Sequence, residues 1–449
     1  MDLVNHTENR ITKILVVILA LSAALRLVAS FALGNQVTSL PGTFDQISYH
    51  NLALRLLGGH GFTFGESWWP LTAANAPTAH WSFLYTFYLT VVYAIFGPHA
   101  VIARFIQAVV VGLLQPYLAF LIGKRIFNPT VGLLAAGLTA VYIYFIYYAA
   151  NLMTEPFYIT AILAGLYIAI LLVDVQKGES RRALTLSIGL GLALGAAVLL
   201  RQLFLLVIPL IFLWMWWAGR KRETRAPKQA IPIAAVIILV LIIPFTIYNY
   251  QRFNRFVLLN TNAGFAFFWG NHPIYGTHFV PILTSDMGTY QDLIPEELHS
   301  LDEAALDQAL LKRGIQFILD DPGRFVLLSL SRIPPYFMFW PSSDSGMVSN
   351  ISRVASFGLF LPFMIYGLVL AVLQLPRNFG KASASPITLL LGFSLVYTGI
   401  HLTSWTLIRY RLPVDAVLII FASQAIWDLD GRLGFRRNKA QELEIIRQP

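Results

Sequence analysis

Eight long apolar stretches without a single Asp, Glu, Lys or Arg constrain this chain more than any motif in it. They are residues 105–123, 126–154, 156–173, 183–200, 202–219, 229–251, 354–376 and 382–408. A helix crossing the hydrocarbon core needs about 20 mostly apolar residues, and each run approaches or exceeds that length. Only 12% of the 449 residues are charged, against roughly 25% in soluble domains. The runs are continuous rather than alternating, which excludes an outer-membrane barrel. The prediction is an all-α polytopic membrane protein. Cysteine is absent, so disulfides, thiolate metal sites and cysteine nucleophiles are excluded as well.

Basic residues set the expected topology, because Lys and Arg accumulate in the cytoplasmic loops. The clusters are Arg10/Lys13, Lys124/Arg125, Lys177/Arg181/Arg182, Arg220 to Lys228, Arg377/Lys381 and the Arg432–Lys439 tail. Putting all of them on one side gives about ten spans, roughly 11–33, 100–122, 131–150, 153–173, 183–200, 203–218, 230–250, 353–373, 386–405 and 410–428. Residues 81–97 and 324–340 must then lie as interfacial or re-entrant helices on the outer face. The first run could mimic a signal peptide, but no small-residue cleavage site stands out and Arg26 interrupts it, so it reads as a retained span. Both termini are then cytoplasmic. The net charge of +9 is mostly positive-inside bias, and no nucleic-acid partner is expected.

Two large segments face outward in this reading. Residues 34–99 carry a short helical stretch at 45–57. Residues 251–352 include an acidic region from Asp286 to Asp321, where Leu306, Leu310, Leu311, Ile315 and Ile318 repeat at helical spacing. The organisation is thus a membrane module over 1–250 with its outer loop 34–99, an outer loop segment over 251–352, C-terminal membrane helices over 353–428 and a basic cytoplasmic tail over 429–449.

The informative charges stand at span ends, since such residues in a membrane face a cavity or a partner. Asp45 follows the first span, and Glu155 sits in Asn151-Leu-Met-Thr-Glu-Pro156 between the third and fourth. Arg104 opens the second, Arg201-Gln202 joins the fifth and sixth, and Arg409-Tyr-Arg-Leu-Pro413 opens the last. All reach the outer interface. Two carboxylates and several arginines at one depth suit an anionic, membrane-bound ligand beside a proton acceptor. Plainer roles compete: Arg104 can snorkel to head groups, and Glu155 before Pro156 can simply open a helix. Arg409 and Arg411 flank Tyr410, and a guanidinium fork matches phosphate in bidentate fashion. Histidines form no HxxxH pattern; His60 and His80 flank the Asp45 loop and would be the ligands of a divalent metal, with hydrogen-bonding loop histidines the simpler reading. Gly58-Gly-His-Gly61 is no P-loop, because no Lys-Ser/Thr follows.

These residues resemble the GT-C superfamily of polyprenol-dependent glycosyltransferases, in particular the bacterial relatives of protein O-mannosyltransferases and lipid A aminoarabinose transferases. The similar pieces run in the family's order. They are Asp45-Gln-Ile-Ser-Tyr49 with Leu57-Gly-Gly-His-Gly-Phe62, Pro77-Thr-Ala-His-Trp81 with Tyr85, Ala103-Arg104-Phe-Ile-Gln107, Thr154-Glu-Pro-Phe157, Leu200-Arg201, Gly270-Asn-His-Pro-Ile-Tyr-Gly276 and Arg409-Tyr-Arg-Leu-Pro413. Two departures stand out. Ser82-Phe-Leu-Tyr-Thr86 replaces the family's Pro-Pro-Gly-Tyr-Pro stretch, and Gln46 stands where many relatives carry a second acidic residue.

The resemblance implies a GT-C-like fold and an inverting sugar transfer on the outer face of a bacterial-type plasma (inner) membrane. The donor would be a polyprenyl-phosphate-linked sugar and the acceptor a hydroxyl on a protein, lipid or glycan, with membrane lipids around the protein. No cofactor is required. Asp45 is the expected base, with Glu155 in support. Arg104, Arg201, Arg409, Tyr410 and Arg411 are expected at the donor phosphate, and Tyr49, His60, His80, Tyr85 and Asn271 at the substrate. Trp68, Trp69, Trp81 and Trp269 could stack on sugar faces. A transporter or flippase of lipid-linked saccharides is the competing reading and should place charges at mid-bilayer and on the inner face. A polymerase or ligase of the O-antigen type would transfer a glycan chain instead.

Overall fold

The computed structural model describes residues 2–434 apart from Lys177 and Asp344; residues 435–449 of the expected basic tail lie outside the described residues. Among the described residues every regular element is helical, apart from two isolated bridges, Thr63 to Pro77 and Trp68 to Thr72. Among the described residues nine helices are long and apolar enough to cross a membrane, and a bent pair brings the number to ten. They match the expected spans one for one.

In chain order these are α1 (Asp2–Leu33), then α2 (Asp45–Leu57) and α3 (Phe83–Phe96) in the first long loop, and α4 (Ala100–Ile126). Next come the bent pair α5 (Pro129–Val141) and α6 (Ile143–Ala149), then α7 (Glu155–Val173), α8 (Ser180–Leu200), α9 (Ile208–Lys221) and α10 (Ala226–Phe253). The second long loop holds α11 (Ala263–Asn271), α12 (Glu303–Asp320) and α13 (Pro322–Ser331). Spans Met347–Leu373, Pro386–Thr403 and Ile408–Arg432 close the chain, the last being the most buried of all. The helices in the two stretches expected at the interface are short for a span: α3 has 14 residues, and Pro334-Pro335 falls in a separate short turn, Ile333–Tyr336, after the 10-residue α13.

Prolines start many of these helices, standing in the first turn of α5, α7, α9, α10 and α13. Their fixed φ and missing N–H cost nothing there. Asn128 caps α5 by accepting from the Thr130 and Val131 amides, both at 3.0 Å. The break between α5 and α6, bent by 55°, contains neither Pro nor Gly. Arg26, wholly buried in α1, donates instead to the Thr139 and Ala140 carbonyls at 3.1 Å each. The Tyr142 hydroxyl is drawn to Asp415 at 2.8 Å. A side chain inserted into the helical ladder is a recognised cause of a sharp kink, and here it also removes the cost of an unpaired cation in the membrane.

The stripe expected on α12 divides in two. Leu306 and Leu310 pack under α11 with Phe265, Phe268 and Trp269, whereas Leu311 and Ile315 stay exposed. Gly264 permits this packing, because a Cβ there would run into the Asp307 carbonyl. At the end of the bundle away from the long loops, Asp174 pairs with both Arg125 and Arg222.

Candidate functional site

Four helix ends converge at the loop-bearing end of the bundle, and each delivers one charge. Asp45 is the first residue of α2 and Glu155 the first of α7. Carboxylates are favoured in a first turn by the helix dipole, and neither is engaged in capping its own helix. Arg201 stands at the C-terminal end of α8 in an extended conformation, and Arg409 lies in the tight turn Ile408–Arg411 before the last helix.

The four side chains form one continuous chain of contacts. Arg409 Nη1 donates to Asp45 Oδ2 at 2.8 Å and to the Gly42 carbonyl at 3.3 Å. Its Nε lies 3.7 Å from Glu155 Oε1 and has no hydrogen-bond partner among the described residues. Arg201 Nη2 donates to the same Glu155 oxygen at 2.5 Å, and its Nε donates to Thr154 Oγ1 at 3.2 Å. Both guanidiniums face the Tyr410 ring, at 5.1 Å and 5.2 Å from its centre, and His401 stacks on that ring at 4.8 Å. Two positive and two negative groups leave the site near neutrality. The Glu155 side chain is 2% exposed while that of Asp45 is 23% exposed, so Asp45 is the carboxylate that an incoming molecule meets.

Neutral amides that carry no charge signal in the sequence hold these ends in place. Arg104, Gln107 and Gln115 fall on one face of α4, at intervals of three and eight residues. Gln107 donates to the Ala149 and Asn151 carbonyls at 2.8 Å and 2.7 Å and accepts from the Tyr85 hydroxyl at 2.7 Å. Gln115 donates to the Pro156 carbonyl at 2.9 Å. Across the two long loops, Asn260 donates to the Ala79 and Trp81 carbonyls at 2.9 Å and 2.8 Å. Its backbone exchanges two hydrogen bonds with the Gln202 amide, so the segment bearing His80 is tied to the turn that follows Arg201.

Of the twelve candidate residues, the structure brings five into this cluster: Asp45, Glu155, Arg201, Arg409 and Tyr410. Tyr49, one turn after Asp45, borders it, packed edge-on against Trp81 and Tyr85. Burial, reinforced by the Asp45 charge, pushes its hydroxyl pKa up. His80 is walled in by Trp69, Trp81 and Phe265. Burial lowers its pKa to about 4, against the pull of Asp45, so it is neutral.

The remaining five stand elsewhere, for physical reasons. Arg104 is fully buried and donates to the Gly34 and Gln36 carbonyls at 2.5 Å and 2.8 Å and to Gln46 Oε1 at 3.1 Å. It clasps the chain leading to Asp45, and Gln46 is the other half of that clasp. Arg411 turns away from Arg409 into a sealed pair with Asp415 at 2.9 Å. Tyr85 stands behind Tyr49 on Gln107. His60 is exposed beyond the far end of α2. Asn271 is buried in the second loop, accepting from Arg332 at 3.2 Å and donating to the Phe267 carbonyl at 3.0 Å. Trp269, considered for sugar stacking, is 2% exposed and belongs to the core of that loop. Among the described residues no group of three or more His, Asp or Glu could hold a metal ion.

Two loop carboxylates that are not exposed have no cation partner among the described residues. Glu303 accepts from Thr72 at 2.8 Å, from the Ala79 amide at 2.8 Å and from Thr261 at 2.5 Å. Burial pushes its pKa up against those hydrogen bonds. One turn later, Asp307 accepts from the Gly264 and Phe265 amides, and burial raises its pKa to about 7.

Residues 80–248 match the family described as dolichyl-phosphate-mannose-protein mannosyltransferase. No curated protein matches the chain. The fold is similar to the archaeal oligosaccharyltransferase AglB from Archaeoglobus fulgidus, solved with an inhibitory peptide and a dolichol-phosphate. The TM-score is 0.61 at 16% identity, over 97% of this chain and 52% of that one. The apo form of the Archaeoglobus fulgidus enzyme aligns with a TM-score of 0.61 at 15% identity, over 96% and 52%. ArnT from Cupriavidus metallidurans bound to undecaprenyl phosphate aligns at 0.43 and 14% identity, over 93% and 79%. The chain thus spans about half the length of the oligosaccharyltransferases it matches. That likeness shows a GT-C-like fold, and nine to ten helices among the described residues are long and apolar enough to make the chain a multi-pass membrane protein.

Proposed function

We propose that the chain is a glycosyltransferase that moves a sugar, with inversion, from a polyprenyl-phosphate-linked donor to a hydroxyl acceptor. The site would sit on the membrane face opposite the basic clusters, the outer face by positive-inside bias, and the resemblance implies a bacterial-type plasma membrane. The observation that carries this reading is the Asp45–Arg409–Glu155–Arg201 chain of contacts at the loop-bearing end. The dolichol-phosphate in the archaeal structure is a lipid phosphate of the chemistry that such a guanidinium pair would meet.

In the reaction the bond from the anomeric carbon to the phosphate oxygen breaks, and a bond to the acceptor oxygen forms on the opposite face. The leaving polyprenyl phosphate takes the electron pair. Arg409 and Arg201 would stabilise its growing charge in a water-poor site. The acceptor proton passes to Asp45, a transfer that contributes roughly 10²–10⁴-fold. Glu155, held by Arg201 and Thr154, keeps the two arginines at their spacing. Without donor, Arg409 is paired to Asp45; a phosphate that takes Arg409 frees the carboxylate to act as base. The transferase is favoured over a flippase because Arg26 and the Arg411–Asp415 pair are engaged by protein groups rather than lining a path through the bilayer. Incubation of the purified protein with a labelled polyprenyl-phosphate monosaccharide and hydroxyl acceptors tests this. Free polyprenyl phosphate and a product of inverted anomeric configuration are expected; donor crossing the bilayer uncleaved contradicts it.

A further inference from the structure

Four tyrosines crowd residues 142–148, and three of their hydroxyls answer to other parts of the chain. Tyr142 donates to Asp415 at 2.8 Å and Tyr147 to the Pro41 carbonyl at 2.9 Å, while Tyr144 is near Arg411 and Arg353. Tyr148 is different. It is 94% buried, since only 6% of it is exposed, and its hydroxyl makes no hydrogen bond among the described residues. A buried phenol normally finds a partner.

The place where this hydroxyl ends is the quartet. It lies against Gly42, where a Cβ would come within 2.9 Å of it, and Gly42 holds φ at +71°, a conformation that itself favours glycine. The carbonyl of Gly42 accepts from Arg409, and Tyr148 lies within electrostatic reach of both Arg409 and Glu155. The hydroxyl is brought there by the break in the third span. Arg26 takes the carbonyls freed at Thr139 and Ala140, α6 turns by 55°, and Tyr147 anchors it to the Asp45 loop.

We propose that Tyr148 is a further binding residue of the donor, donating its hydroxyl to a non-bridging oxygen of the phosphate that engages Arg409. The proposal rests on the phosphate reading of Arg409 given above. A hydroxyl on a largely buried side chain, beside Arg409 and without a hydrogen-bond acceptor among the described residues, is complementary to a phosphoryl oxygen, and hydrogen bonds to charged groups are the strong ones.

The test is binding of undecaprenyl phosphate to the purified full-length protein, with thermal unfolding in parallel. Tyr148→Phe should weaken binding about tenfold and leave the melting temperature unchanged, because no hydrogen bond of the free protein is lost. Tyr147→Phe should do the reverse, lowering the melting temperature through the lost Pro41 bond with little effect on binding. Gly42→Ala, which crowds the hydroxyl, should weaken binding as Tyr148→Phe does. Wild-type affinity in Tyr148→Phe, with affinity lost in Arg409→Ala, overturns the role of Tyr148 alone. Wild-type affinity in both variants overturns the phosphate reading beneath it.

Discussion

Arg409 and Arg411 are two residues apart in one turn, carry the same group at one depth, and occupy opposite kinds of surroundings. Arg411 is wholly buried. Its Nε is paired with Asp415 at 2.9 Å, its Nη1 donates to the Tyr336 carbonyl at 2.6 Å, and its guanidinium lies 3.4 Å from the centre of the Phe357 ring. The second oxygen of Asp415 is taken by Tyr142. Arg409 is 11% exposed and shares its charge between two carboxylates of which one is itself open, while each arginine keeps one nitrogen without a hydrogen bond among the described residues, Nε in Arg409 and Nη2 in Arg411. A membrane arginine is therefore read by how open it and its partner carboxylate are. The sealed pair fixes the last span to the broken one, and the open pair is left for a ligand.

Substitutions that break this contrast should act on different quantities. Arg411→Ala leaves Asp415 buried and unpaired, which typically costs about 3–5 kcal/mol of stability. Thermal or denaturant unfolding should show that loss, and the double change Arg411→Met with Asp415→Leu should recover much of it. Arg409→Ala should lower stability by about 1 kcal/mol or less, as for partly exposed pairs. It should weaken polyprenyl-phosphate binding by about 1.5–3 kcal/mol, the scale of a hydrogen bond to a charged group. If Arg411→Ala folds normally and loses binding instead, the two residues have exchanged roles.

The smallest effect is on pH dependence and lies in the loops. The Asp307 pKa is raised from 3.8 to about 7, so between those values the folded chain binds a proton that the unfolded chain does not. Folding is then less favourable as pH rises from about 4 to 7. Asp307→Asn keeps an oxygen for the Gly264 and Phe265 amides and removes the charge. Relative to the wild type it should gain about 1–2 kcal/mol of stability at pH 8 and nothing at pH 4. Equal offsets at both pH values would contradict the burial of that charge.

Much of this architecture is legible in the sequence because membrane folding exaggerates its signals. Charge-free runs mark the spans, basic clusters separate the two ends, and Asp45, Glu155, Arg201 and Arg409 stand out where apolar runs stop. Direction is not legible. Nothing in Arg409-Tyr-Arg411 says which guanidinium faces the cluster, since one 3-10 turn points the two in different directions. Arg104 looks like an interfacial anchor but clasps backbone carbonyls. Gln107, Gln202 and Asn260, which hold the charged ends, are neutral amides that no charge pattern flags. Tyr148 hides among three other tyrosines until the break at Tyr142 shows where each one points.

Asp45→Asn provides the most direct test of the open pair. Sugar transfer and undecaprenyl-phosphate affinity should be measured on the same purified variant. The change keeps the shape of the side chain, removes the proton acceptor and releases Arg409 from its carboxylate. Transfer should fall by roughly two to four orders of magnitude, while affinity for the lipid phosphate rises severalfold because the competing charge is gone. Transfer near the wild-type rate, or lipid-phosphate binding weakened along with transfer, would contradict a base and a phosphate that share Arg409.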